Sequence, residues 1–193
     1  MELQVGMSVG RDYLDSTRET FRSHKEAADR AIAQVSDVGL RRTLDEQTNS
    51  IAIIMRHIAG NLTSRWTDFR TTDGEKPWRD RDGEFVEQDE SRGELLARWN
   101  AGWQVVLDAL ASLEEGELGR IIHTRGEAQS VLLGLQRSLA HVAYHCGQIV
   151  LLARVFAEGN WQVLTIPRGG SAEYNARHWG PGTPSPQERL DRP

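Results

Sequence analysis

A single cysteine, Cys146, in a chain of 193 residues excludes an internal disulfide framework and any cysteine-rich zinc module, and it suits a reducing cytoplasm. Long apolar runs are also missing: no segment approaches the roughly 18 continuous apolar residues of a membrane span. The opening MELQVGMSVGRDYLD lacks a basic region followed by an apolar stretch, so a secretory leader is not expected. There is no excess of basic charge. The 23 Lys and Arg are interspersed with 28 Asp and Glu, for a net charge of −5, and no basic stripe forms of the kind that binds phosphate backbones. A nucleophile elbow, a phosphate-binding glycine loop and the HExxH zinc-protease signature are all absent, which leaves covalent catalysis by a protein side chain unsupported. What remains is a soluble, cytoplasmic protein of one compact domain, without internal repeats or low-complexity blocks.

Hydrophobic periodicity is abundant. From about Arg11 to Val35, Leu14, Phe21, Ala28, Ile32 and Val35 recur at helical spacing among charged residues, an amphipathic helix. Ser36 to Gly39 supplies turn residues. A second helix begins between Leu40 and Asn49 and carries Ile51, Ile54, Ile58, Leu62 and Trp66 on its apolar stripe. After Phe69 the pattern gives way to a long polar connection, Thr71 to Phe85, of a length that is uncommon in compact domains and often functional. A plain solvated crossover fits it equally well.

Ser91 and Glu94 have capping-box spacing and open a third helix that runs to about Ser112 with Trp99 and Trp103 in its core face. Ile121 to His123 reads as a short extended piece. Thr124 and Glu127 repeat the capping-box spacing, so the fourth helix is expected from about Glu127 to Glu158. Five of the six prolines lie beyond Trp161, and that density, with Gly169 and Gly170, argues for an irregular C-terminal segment. The expected fold is all-α: a four-helix bundle with a long crossover between helices 2 and 3, spanning residues 1–179, and a loosely held tail over 180–193.

His141 and His145 lie four residues apart on the fourth helix, so both imidazoles project from one face. Bundle sites are built from side chains that project inward from facing helices, and His57 on the second helix supplies a third imidazole. Three neutral nitrogen donors leave coordination positions for water or substrate. They suit a divalent transition metal, zinc or nickel first, with iron, manganese or copper as further fits, over calcium or magnesium. The competing interpretation is three core histidines with hydrogen-bonded rings. His24 on the first helix is a competitor as fourth ligand or supporting group. Asn61, Ser64 and Arg65 share the His57 face and give it the polar character of a cavity wall. Arg65, and Arg79 or Arg81 in the long connection, are candidate clamps for a substrate carboxylate. Tyr144 and Gln148 are candidates to hydrogen-bond the bound group. Cys146 is turned about 100° from His145 around the helix and packs instead, while His123 and His178 are surface residues.

Three segments in this order carry a resemblance. They are His57-Ile-Ala-Gly60-Asn61-Leu-Thr-Ser-Arg65, the Asp73-Gly74-Glu75-Lys76-Pro77-Trp78-Arg79-Asp80-Arg81-Asp82 connection, and His141-Val-Ala-Tyr144-His145-Cys-Gly147-Gln148. Together with Ile166 to Asn175 they resemble the DinB-like (YfiT-like) metalloprotein superfamily, in its DUF-type branch. The resemblance implies an up-down-down-up bundle, a divalent metal on His57, His141 and His145, and a homodimer. It also implies transferase or isomerase chemistry with a low-molecular-weight thiol such as bacillithiol, mycothiol or glutathione. A metal-binding structural or stress-related dimer without turnover is the alternative.

Overall fold

The computed structural model describes residues 8–159 and 161–180, in two compact units divided after Asn160. The described residues are mostly helical, with six helices and two short strands.

In the first unit, five helices start on a serine whose hydroxyl accepts a backbone N–H three residues on, satisfying a donor that the helix itself leaves free. Ser8 opens α1 (Val9–Ile32), Ser36 opens α2 (Asp37–Arg41), Ser50 opens α3 (Ile51–Trp66), Ser91 opens α4 (Arg92–Ser112) and Ser130 opens α5 (Val131–Phe156). The box at α4 is complete, since the Glu94 carboxylate accepts in return from the Ser91 backbone N–H at 2.8 Å. α1 stops at Ile32, short of Val35, because Ser36 begins the one-turn helix α2.

The four long helices pack pairwise: α3 lies against α4 and α5, and α1 against α5 and α4. Their shared interior holds Phe21, Met55, Ile58, Leu62, Trp99, Trp103, Leu135 and Ile149, all essentially inaccessible. Each such side chain contributes about 1.5 to 3 kcal/mol on burial. α3 is the central helix. Every residue from Ile51 to Ala59 is buried, so a polar side chain in that run must find its partners inside the protein. Arg56 does so on Glu90 at 2.6 Å and the Val86 carbonyl at 2.9 Å.

The segment before α5 departs from expectation. Thr124 to Glu127 is the tip of a hairpin, not a helix start, with β1 (Ile121–Thr124) paired antiparallel to β2 (Glu127–Ser130) and Ile121 opposite Ser130. Arg125 (φ 56°) and Gly126 (φ 76°) both take the left-handed conformation that a two-residue hairpin loop demands. Asp73 secures the loop, accepting from the backbone N–H groups of Arg125 at 2.8 Å and Gly126 at 2.7 Å. α5 therefore starts at Val131. By length and average composition α5 is apolar enough to cross a membrane, although Arg137, His141 and His145 interrupt it and no continuous apolar run of that length is present; a third of the stretch is buried inside this unit.

The crossover from α3 to α4 is long and irregular, with one 3₁₀ turn at Gly83–Phe85. Near its start Arg70 donates to both Glu117 oxygens (2.7 and 3.0 Å) and to the carbonyl that ends α4, Ser112 (2.9 Å). The paired guanidinium pulls the Glu117 carboxyl from 4.5 to about 2. A depressed acid stabilises the fold above its unfolded pKa and loses that contribution as pH falls through its folded value. For a half-solvated pair the contribution is about 1 kcal/mol. E117Q is thus expected to lose stability near pH 7 and to flatten the pH dependence between 4.5 and 2, read by urea unfolding at a series of pH values.

The second unit contains α6 (Ser171–Trp179), a helix where an irregular segment was expected. The run from Ser171 to Trp179 is free of proline and glycine, so nothing in it interrupts helical hydrogen bonding, and Gly180 (φ 87°) ends it. The expected tail lies outside the described residues from Pro181 onward.

Candidate metal centre

Packing of α3 against α5 brings His57 to the histidine pair of α5. One nitrogen from each of His57, His141 and His145 falls within 4.8 Å of the others. The Nε2 atoms of His57 and His141 are 3.1 Å apart. Nitrogens bound about 2.1 Å from one ion at angles near 90 to 109° would lie roughly 3.0 to 3.4 Å apart, so this spacing fits a shared metal.

Proton positions support that fit. His57 Nδ1 lies 3.0 Å from Glu84 Oε2. Burial pushes the Glu84 carboxyl up, but hydrogen bonds from His57 and Arg79 outweigh it and hold the group below the usual carboxylate range. An ionised carboxylate only accepts, so Nδ1 of His57 carries a proton, and in the neutral ring Nε2 then presents a lone pair. His145 Nδ1 likewise donates to Gln148 Oε1 at 2.7 Å, which leaves its Nε2 bare. His141 Nδ1 is buried without a partner. If the His141 proton sits on Nε2, it is shared with His57 and Nδ1 is an orphaned acceptor; if it sits on Nδ1, three lone pairs converge. Burial, with His145 and His57 alongside, lowers His141 to about 4, and burial lowers His145 against the bond from Gln148. Both rings are therefore neutral at pH 7, the form that binds metal.

Glu84 is the principal residue that sequence reasoning missed. It reaches His57 from the 3₁₀ turn of the crossover, 27 positions along the chain, and is itself gripped by Arg79 through Nε and Nη2, each at 2.8 Å. Gly60, one turn past His57, makes room for it: a Cβ there would come within 2.1 Å of Glu84 Oε1. Glycine in the middle of a helix is the one local sign of this, because it costs helix stability and implies a close approach. Such an arrangement, a carboxylate on the far nitrogen of a histidine, orients the ring and raises the basicity of a histidine that could hold a metal.

The other expected residues divide. Asn61 and Arg65 line a cavity of about 220 Å³ together with His141, Ser138, Gln129 and Arg137. Arg79 is not in that wall; its side chain is 2% exposed and serves Glu84. Arg81 is half exposed, 4.0 Å from Asp82. Tyr144 is largely exposed, with its ring 5.2 Å from that of His145, and Gln148 holds His145 Nδ1. His24 does not join the cluster. Cys146 is buried, its thiol pushed up to about 12 chiefly by burial, which fits packing. Arg137, Gln129 and Thr124 entered the cavity wall unforeseen, because the hairpin that carries two of them was itself unforeseen.

The family model described as a protein of unknown function, DUF1572, matches residues 8–170, a span that includes the three histidines, Glu84 and the whole cavity wall. No curated protein and no solved structure matches the chain.

Proposed function

We propose that this chain, which belongs to the DUF1572 family, is a DinB-like metalloprotein that holds one divalent transition metal on His57, His141 and His145 and uses it in thiol-dependent transferase or isomerase chemistry. The observation that carries the proposal is the convergence of three imidazole nitrogens within 4.8 Å, beside a polar cavity. Among the described residues no fourth histidine, cysteine or carboxylate joins them, which favours an open site over a closed structural one. A divalent ion supplies Lewis-acid chemistry there, under which a small thiol or water ionises near neutral pH. The protein's own work is positional. Glu84 and Gln148 hold the Nδ1 protons of His57 and His145 and thereby aim both rings. Asn61 and Arg65 face the adjoining cavity, where a substrate is oriented, and the exposed Tyr144 ring lies beside His145. A cytoplasmic homodimer completes the proposal.

Elemental analysis of untagged protein, purified without chelator, tests it. About one divalent ion per chain is expected, with near-complete loss in H57A, H141A and H145A, followed by thiol-dependent turnover in a screen of electrophiles with several small thiols. Metal content unchanged in the three variants rules out the site. Stoichiometric metal without thiol-dependent turnover leaves a metal-binding protein and removes the transferase.

A further inference from the structure

The cavity beside His141 has a chemistry that the metal centre alone does not require. Two guanidiniums, Arg65 and Arg137, stand in its wall, and no carboxylate does. Arg137 makes no ion pair among the described residues; its Nη1 donates to Gln129 Oε1 at 3.0 Å, and Gln129 in turn donates to Thr124 Oγ1 at 3.0 Å. This chain from the hairpin to α5 aims the guanidinium while leaving Nε and Nη2 uncommitted. Arg137 also precedes His141 by four residues, so it lies one turn away on the same helix face. Arg65 spends only Nη1, on Glu75 at 3.2 Å.

Glu75 is itself over-subscribed. Arg125 takes the same oxygen at 2.9 Å and Arg79 approaches the other at 4.0 Å. In the cavity wall itself Arg65 has Glu75 as a carboxylate partner and Arg137 has none among the described residues, which leaves one unpaired guanidinium charge there. Burial, with Arg79 and Arg125 alongside, lowers the Arg65 pKa despite Glu75, so an added anion relieves an existing strain. Gly134 lets the hairpin that forms one side of the cavity lie close against α5. A Cβ on Gly134, in the cavity wall, would sit 2.9 Å from Ile122 Cδ1 and press on the hairpin.

We infer that this cavity binds a singly charged carboxylate on Arg65 and Arg137, as the anchoring group of a small substrate whose other end faces the three histidines. The placement of the reactive end rests on the metal-centre proposal; the anion site does not. One excess charge matches a monoanionic carboxylate better than a dianionic phosphate, and guanidinium forks pair with carboxylates in two parallel bonds. At about 220 Å³ the cavity is below the range usual for drug-sized ligands, which restricts the substrate to a short-chain acid.

Calorimetric or NMR titration with butyrate, against its neutral isostere butyramide and against inorganic phosphate, tests the inference on chelator-treated and zinc-loaded protein. Butyrate is expected to bind both forms, with roughly tenfold weaker affinity in R137Q and little or no binding of butyramide. R137Q is expected to fold, because the side chain is exposed and bonds only Gln129. R65K, which keeps the charge opposite Glu75, accompanies it, with a smaller loss expected from its missing fork. Equal binding of butyramide, or undiminished butyrate affinity in R137Q, overturns the inference. Phosphate binding more tightly than butyrate overturns the carboxylate assignment. Butyrate binding through Arg137 in a protein that takes no zinc would defeat the metal proposal alone; zinc binding with butyrate indifferent to Arg137 would defeat this one alone.

Discussion

Replacing Glu84 with alanine is expected to lower unfolding free energy by about 3 to 5 kcal/mol and metal affinity by roughly 10- to 100-fold. The stability loss comes from Arg79, whose side chain is 2% exposed and whose Nε and Nη2 both end on Glu84. Its Nη1 already lacks a hydrogen-bond partner, and the nearest other carboxylate oxygen, on Glu75, is 4.0 Å away. Without Glu84 a full charge is stranded in the interior, and stranding one partner costs far more than the intact pair contributes. The affinity loss has a different origin. His57 Nδ1 loses its acceptor, so the ring is free to rotate and its proton to move to Nε2, the atom that faces His141. The two effects separate in the double variant E84A/R79M, which removes the stranded charge. It should recover most of the stability in urea unfolding while zinc competition titrations still show the weakened site. If E84A costs less than about 1 kcal/mol, Arg79 has found another partner and the account of this pair is wrong.

Substitution G102A is expected to destabilise by about 3 kcal/mol, near the upper end for overpacking, although alanine is the better helix former by about 1 kcal/mol. Gly102 is a point of close approach between α4 and α3. A Cβ there would lie 2.6 Å from Ala59 Cα and 2.8 Å from the Ala59 carbonyl oxygen, both backbone atoms that cannot rotate aside. The helices must separate, and Trp99 and Trp103 on α4 lose contacts with them. Ala59 stands two residues past His57, so the same displacement moves a proposed ligand, and metal affinity should fall with stability. Gly147, on the exposed face of α5 with nothing within 4 Å of its Cβ position, provides the control. G147A should raise stability by about 0.5 to 1 kcal/mol in the same denaturant titration. A neutral G102A would mean that α3 and α4 are not in such close contact.

The histidine pair was legible because an i,i+4 spacing is a local property: helical geometry alone puts His141 and His145 on one face, whatever surrounds them. The same holds for the capping box at Ser91 and Glu94 and for the stripe from Leu14 to Ile32. Local spacing also misled. Thr124 and Glu127 have the separation of a capping box, yet Arg125 and Gly126 between them bend into a hairpin, because pairing with β2 and the carboxylate of Asp73 reward the turn. The connection after Phe69 has no periodicity, so nothing local says that Glu84 faces inward and Arg81 outward.

By itself, then, the sequence determined the helical class, the long helices, the starts of the first and third of them and two of the three clustered histidines as a unit, since each depends on interactions within a few residues of chain; the second and fourth begin later than expected, at Ile51 and Val131. Tertiary structure alone decided that His57 meets that pair, that Arg79 pairs with Glu84, and that Arg137 joins Arg65 at the cavity. Those choices turn on how closely distant parts of the chain approach, α4 on α3 at Gly102, the crossover on α3 at Gly60 and the hairpin on α5 at Gly134, and on charges that must pair once water is excluded.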